Sequence, residues 1–164
     1  MQPDDQGRFE RWVTEHQPVV FRAAYLILRD RSGAEDVAQE TFIRAFRSFE
    51  RTDPGEAVRP WLYRIAVNTA LNELRRRKRE ANAYLRAVGP DTTDPTAASE
   101  TRSIVADAID KLPDNLRVAV ICRYFLDLSE QEMASVIGVR PGTVKSRLHL
   151  ARKALAGNLE AVNS

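Results

Sequence analysis

Apolar residues return every three or four positions along almost the whole chain, and nowhere do they alternate with polar ones as a half-buried strand requires. That period confines the chain to helices. The periodic runs fall at Phe9 to Leu28, Ala34 to Phe49, Val58 to about Arg79, Ile104 to Leu112, Leu116 to Leu126, Glu130 to Ile137 and Thr143 to Leu155. Two breaks interrupt them, Thr52-Asp53-Pro54-Gly55 and the longer Gly89-Pro90-Asp91-Thr92-Thr93-Asp94-Pro95-Thr96, both made of residues that favour turns and open chain. The expected fold is therefore all-α, with two small helical domains over residues 5–80 and 103–160 joined by a flexible linker at 81–102. About twenty flexible residues would span roughly 70 Å if extended.

In the Ala34 to Phe49 helix the core face is Ala34, Val37, Ala38, Thr41, Phe42, Ala45, Phe46 and Phe49. The opposite face carries Asp36, Gln39, Glu40, Ile43, Arg44 and Arg47. Asp36 and Glu40 set like charges one turn apart, which is mildly unfavourable in isolation. Such a face either is solvated or awaits a basic partner.

The helix beginning near Val58 places Trp61, Arg64, Asn68, Asn72 and Arg75 on one stripe, while Leu62, Ile65, Ala66 and Leu74 turn inward. Two asparagines in a helix interior each cost roughly half a kcal/mol in propensity. That cost points to a second role for the amides. They either hydrogen-bond base edges, with Trp61 beside them as a stacking surface for unstacked bases, or bond between helices inside the bundle.

Near the C-terminus, Ser129-Glu130-Gln131-Glu132 has capping-box form, Met133, Ala134 and Ile137 follow as apolar positions, and Gly138 ends the helix. Arg140-Pro141 then opens another helix, with Val144, Leu148, Ala151 and Leu155 as its buried stripe. This is helix-turn-helix spacing, with Ala134 as the small contact residue, Gly138 as the turn glycine and Val144 as the apolar lock. Thr143, Lys145, Ser146, Arg147, His149 and Arg152 face outward and suit a major groove.

The net charge of +2 excludes a uniformly basic surface, so a nucleic-acid signal must come from how charge is distributed. Arg75-Arg76-Arg77-Lys78-Arg79 is one basic block, and Arg140, Lys145, Arg147, Arg152 and Lys153 form a second stretch with no acidic residue inside it. The excess of arginine over lysine fits forked hydrogen bonding to bases and phosphates, and a GC-rich genome produces the same bias. Cys122, the single cysteine, sits in a mostly apolar stretch and reads as a core thiol. His16 and His149 are isolated, and neither zinc-ligand spacing nor a phosphate-cradling glycine loop occurs, so no catalytic residue, metal or cofactor is expected. The N-terminus is acidic and polar where a secretory signal would be basic and then apolar, and no run of eighteen apolar residues exists; a cytoplasmic protein is expected.

Taken in order, DVAQETFIRAF, WLYRIAVNTALNELRRRKR and LSEQEMASVIGVRPGTVKSRLHLARKAL resemble the extracytoplasmic-function sigma factors of bacterial RNA polymerase, and the likeness covers nearly the whole chain outside the linker. The resemblance implies a sigma region 2 bundle at 5–80 and a helix-turn-helix sigma region 4 at 103–160. It implies that Asp36, Gln39, Glu40 and Ile43 dock on the clamp helices of the polymerase's largest subunit, with the flap as a second contact of the core enzyme. It implies that the loop Glu50 to Val58 and the helix carrying Trp61, Arg64, Asn68, Asn72, Arg75, Arg76 and Arg79 open the minus-ten element, Asn68 at a base-contact position and the basic run on phosphates. Minus-thirty-five recognition falls to Thr143, Lys145, Ser146, His149 and Arg152, with Arg123 and Arg147 reaching phosphates. Many relatives carry arginine where this chain has Leu150, which removes one DNA contact. Promoter DNA, core polymerase and an anti-sigma factor are the partners so implied. The segment after Leu155 is expected to fray and to hold no sensor domain. The alternative is a polymerase-independent helix-turn-helix regulator whose N-terminal half dimerises or binds a ligand.

Overall fold

The computed structural model describes residues 3–89 and 103–163, and among them every regular element is helical. The first, α1 (Pro3–Leu28), begins six residues before the apolar period does, with Asp4 and Asp5 in its first turn where carboxylates favour the helix dipole. It stops at Arg29, whose φ of 63° is left-handed and whose N–H reaches the Tyr25 carbonyl at 2.6 Å. Asp30 caps α2 (Arg31–Phe49) by accepting from the Gly33 N–H at 2.6 Å. After a 3₁₀ turn at Gly55–Ala57, α3 (Val58–Val88) completes a three-helix bundle. Val20 and Ile27 of α1, Val37 and Ala45 of α2, and Leu62 and Val67 of α3 fill its core. Phe9, Trp12, Phe46 and Phe49 close one end edge to face, with Phe9–Phe46 and Trp12–Phe49 centroids each 5.2 Å apart.

The second half holds α4 (Ile104–Asp110), α5 (Asp114–Val120), α6 (Glu130–Ile137) and α7 (Pro141–Asn163). The apolar period predicts a continuous α-helix over 116–126; instead α5 widens into a π-helical turn at Ile121–Phe125, where the Leu126 N–H bonds back to the Ile121 carbonyl at 2.9 Å. Cys122 lies in this turn, fully buried, and burial pushes its thiol up to about 12, so it stays protonated at neutral pH.

Two boundaries differ from expectation. Residues 81–88 are helical and continue α3, so the connector begins later than the periodicity indicates; the rest of it, 90–102, lies outside the described residues. Residues 156–163 are helical where a frayed end is expected: α7 runs to Asn163, α4 packs on it, and Asn158 Nδ2 donates to the Ala108 carbonyl at 3.2 Å, while residue 164 lies outside the described residues. The two helical domains are present as expected, and they pack on each other. The apolar core of α1 to α3 continues into Val118, Ile121, Leu126 and Met133, with α3 packed on α6 and α1 on α5 and the π turn.

Candidate nucleic-acid interface

Three solvent-accessible faces carry the residues singled out from the sequence. On α2, Asp36 and Gln39 are exposed, Glu40 is half-buried and Ile43 is 41% exposed. Arg44 Nε donates to Glu40 Oε1 at 2.8 Å, which relieves the repulsion between Asp36 and Glu40 within the helix itself. Two recesses flank this face. The larger, about 830 Å³, is apolar and lined by Val13 and Phe21 of α1 with Phe42, Ile43 and Phe46 of α2. The other, about 520 Å³, lies between α2 and α3 and brings Asp36, Glu40 and Arg44 beside Asn72, Arg76 and Arg79.

Along α3, Arg64, Asn72 and Arg75 are exposed and Asn68 is half-buried, so the stripe is the least buried side of the helix. Trp61 differs from the rest: its ring meets Trp12 edge to face with centroids 6.3 Å apart, and most of its aromatic surface serves the bundle. Asn68 opens into a recess of about 430 Å³ with Arg44, Arg47, Ser48 and Arg51. Sequence reasoning assigns no role there to Arg47 or Arg51, although residues 44, 47, 48 and 51 have the spacing of one helical face.

The basic block does not act as a block. Arg76 donates to Glu73 at 2.6 Å and to Glu80 at 2.5 Å, so its charge is satisfied within α3 and its pKa is raised by those two carboxylates. Arg77 pairs with Asp30 and donates to Glu73 at 3.0 Å, and Lys78 pairs with Asp114 of α5. Only Arg75 and Arg79 of the block remain exposed without a carboxylate partner among the described residues. Arg75 reaches Asn72 Oδ1 at 3.4 Å.

Asp30 escapes the sequence reading, although an aspartate before an apolar run is itself a cap signal. It ties the start of α2 to α3 through Arg77, and the pair closes over Gly33, where a Cβ would make the Arg77 guanidinium shift. Burial works to raise the Asp30 pKa, but the Arg77 and Gly33 hydrogen bonds overcome it and hold the carboxyl below its ordinary 3.8. A group with a lowered folded pKa contributes stability that is complete above its unfolded value and fades as pH falls through the folded one. The melting temperature should accordingly fall as pH drops below about 4. Asp30→Asn should flatten part of that dependence and lower the melting temperature at pH 7; an unchanged pH profile would show the pair to be energetically idle.

At the C-terminal end the helix-turn-helix forms as its caps require. Glu132 N–H donates to Ser129 Oγ at 3.1 Å and Ser129 N–H to Glu132 Oε1 at 3.0 Å. Gly138 adopts φ 77°, a left-handed turn that suits glycine; Val144 and Leu148 are fully buried in the cluster that holds Met133, and Ala151 is buried with Leu112, Leu116 and Val120. Lys145, Ser146, His149 and Arg152 are exposed on α7, Thr143 is half-buried, and Leu150 is 53% exposed among them.

Three arginines are individually oriented. Arg123 Nη1 donates to the Leu128 carbonyl at 3.2 Å and so braces the loop that leads into the Ser129 cap. Arg147 lines a recess of about 410 Å³ with Leu74, Arg75 and Lys78 of α3, on the side of α7 turned toward the first bundle. Arg152 Nε donates to Tyr124 Oη at 2.6 Å with its guanidinium 5.7 Å from the ring centre, so the π turn presents a platform that orients it. His16 is buried, with Nδ1 3.3 Å from the Tyr63 hydroxyl, and no group of side chains suited to hold a metal occurs among the described residues.

A family model described as Sigma-70 region 2 matches residues 12–80, and one described as Sigma-70, region 4 matches residues 102–155. The ECF RNA polymerase sigma factor SigE of Mycolicibacterium smegmatis is 38% identical over 92% of this chain, which spans 62% of that relative's length. The RNA polymerase sigma-H factor of Pseudomonas aeruginosa is 33% identical over 94% of this chain and 88% of its own. Among solved structures, the sigma factor RpoE in complex with the anti-sigma factor NepR from Bartonella quintana shares the fold, with a TM-score of 0.74, 24% identity and coverage of 93% of this chain and 97% of its own.

Proposed function

The chain belongs to the extracytoplasmic-function sigma factors of bacterial RNA polymerase, and on that premise we propose that it is an alternative sigma factor: it binds core polymerase, directs initiation at its own promoters, and is restrained by an anti-sigma factor. Sigma factors are non-catalytic initiation factors. The chemistry belongs to the polymerase, and this chain contributes recognition and DNA opening. The match of residues 12–80 to sigma region 2 leaves no N-terminal half for the dimerisation or ligand domain of a free-standing regulator.

One observation carries the residue-level reading: the acidic α2 face and the amide and arginine stripe of α3 belong to the same rigid bundle, joined by a shared core and by the Asp30–Arg77 pair. Docking through Asp36, Gln39, Glu40 and Ile43 then fixes where Arg64, Asn68 and Asn72 meet the non-template strand. Unstacking costs a few kcal/mol per flipped base, so the bundle takes hold of DNA that polymerase helps to open. Arg75 and Arg79 follow the backbone, while Arg76 supports the helix. In region 4, Lys145, Ser146 and His149 read base edges in the major groove, Thr143 lies at the entry of the recognition helix, and Arg152 grips phosphate from its Tyr124 platform. An anti-sigma factor is proposed as the restraining partner, as NepR accompanies RpoE in the structure of that pair. The proposed site of action is the cytoplasm, and no described helix is long and apolar enough to cross a membrane.

The purified chain with core polymerase should start transcription at promoters recovered by footprinting, and core alone should not. Asp36→Ala and Glu40→Ala should each weaken core binding roughly tenfold, about 1.4 kcal/mol. No initiation at any promoter, together with undiminished core binding by both variants, would remove the reading.

A further inference from the structure

The connection between α2 and α3 has one 3₁₀ turn at Gly55–Ala57 and otherwise no regular element to hold its path. The Arg51 and Thr52 N–H groups return to the Ser48 carbonyl at 3.1 and 2.9 Å, and the Ala57 N–H to the Pro54 carbonyl at 3.0 Å. These bonds are local and do not tie the loop to the first helix of the bundle. A side-chain pair does: Arg8 Nη2 of α1, 45 residues earlier, donates to Asp53 Oδ2 at 2.5 Å, while Asp53 Oδ1 accepts the Gly55 N–H at 2.9 Å. Resting on the promoter-reading function above, we propose that Arg8 is a positioning residue for minus-ten recognition: acting through Asp53, it sets the loop that borders the Asn68 recess.

Arg8 is oriented by more than its carboxylate. Its guanidinium lies 5.1 Å from the Phe49 ring centre and 5.4 Å from that of Trp12, and Nη2 is also 3.4 Å from Asp5. Phe49 and Trp12 belong to the edge-to-face cluster that closes one end of the bundle, so the cation rests on a packed platform. The packing buries Nε without a partner and leaves Nη2 to make both carboxylate contacts. A planar guanidinium held in this way loses less freedom on pairing than a mobile ammonium would.

One carboxylate therefore fixes the loop twice. Oδ1 shapes the turn in which Gly55 takes φ 56°, and Oδ2 anchors that turn to α1. The Gly55 N–H and then Arg8 hold the Asp53 carboxyl below its ordinary 3.8, so the pair is charged at neutral pH. Two positions before Asp53, Arg51 lines the recess into which Asn68 opens; just after it, the 3₁₀ turn leads into α3. An unanchored loop would have to be ordered when DNA binds, which lowers affinity for the captured base. A preset loop favours the base that fits its geometry, whereas a mobile one accommodates several. Neither Arg8 nor Asp53 needs to touch DNA for this effect.

The test compares the full chain and its variants, with core polymerase, on promoters carrying each base pair in turn at the minus-ten positions. Arg8→Gln and Asp53→Asn should each reduce discrimination between the preferred sequence and its substituted forms by up to about fivefold, the reach of an exposed ion pair, with core binding unchanged. Gln keeps the stem of Arg8 on its aromatic platform and Asn keeps an acceptor for Gly55, so the ion pair is what both variants lose. Arg8→Lys should restore most of the discrimination, and the double variant should do no worse than either single one. Without polymerase, deuterium exchange over residues 50–58 should quicken in both single variants while α2 and the rest of α3 keep the parent rates. A loss that falls equally on all promoters, losses that add in the double variant, or unchanged discrimination or exchange overturns the proposal. Should Arg8→Gln fail to fold, Asp53→Asn, at an exposed loop position, decides by the same readouts. A parent chain that initiates nowhere removes the sigma reading instead, and the exchange measurement still judges the Arg8–Asp53 anchor.

Discussion

A chain carrying Arg64→Ala and Asn68→Ala together is expected to open its promoter roughly a hundredfold less well than the parent while binding core polymerase equally tightly. Arg64 is exposed and Asn68 half-buried, so truncating them removes little packing from the bundle. What is lost is recognition: a good side-chain contact with a base edge contributes about 1–3 kcal/mol of discrimination, and two such contacts together, about 2–6 kcal/mol, span the roughly 2.7 kcal/mol of a hundredfold effect. Permanganate reactivity of the minus-ten thymines measures opening, and co-elution with core measures docking. Normal opening by the double variant would assign the α3 amides to the bundle, the alternative that the sequence leaves open. Loss of core binding in parallel with opening would mean that α2 and α3 do not divide the work as proposed.

Leu148→Ala is expected to destabilise the whole chain by about 2–5 kcal/mol, a large share of the 5–15 kcal/mol typical of a folded protein. Leu148 is 1% exposed and packs α7 against α6, so its truncation leaves a cavity at the centre of the helix-turn-helix. The informative part is where the loss is felt. Both tryptophans, Trp12 and Trp61, stand in the first bundle, far along the chain from position 148. If the halves share one core, the urea midpoint read by tryptophan fluorescence should shift with the midpoint read by circular dichroism. A fluorescence midpoint that stays in place while part of the helical signal melts early would show that the halves unfold independently and that the contact between them contributes little.

Much of the local structure is legible in the sequence. The Ser129–Glu132 capping box, the left-handed Gly138 and Pro141 at the head of α7 are interactions within one turn of helix, so adjacent residues suffice to specify them. The α2 core face is legible for the same reason: a three- and four-residue period is a property of a single helix. Legibility ends where the apolar period does. Tyr84, Leu85 and Val88 extend α3 but are exposed, and an extension that buries nothing leaves no periodic trace. The last turns of α7 escape because their support is α4, some fifty positions earlier in the chain.

The charged residues mark the boundary most clearly. From the sequence, Arg75 to Arg79 form one basic block suited to phosphates; in the fold Arg77 belongs to Asp30, 47 residues away, and Lys78 belongs to Asp114. Arg117 is one arginine among many until Ile27, 90 residues distant, supplies its carbonyl acceptor. By itself the sequence determined the course of most helices, the Ser129–Glu132 and Gly138 caps, the helix-turn-helix and the family. Only the tertiary structure decided which cations are paired inside the protein, which remain exposed, and that the two halves pack on each other. A side chain's period and cap are set by neighbours within a turn, whereas its charge partner is whichever distant group the packing brings within about 3 Å.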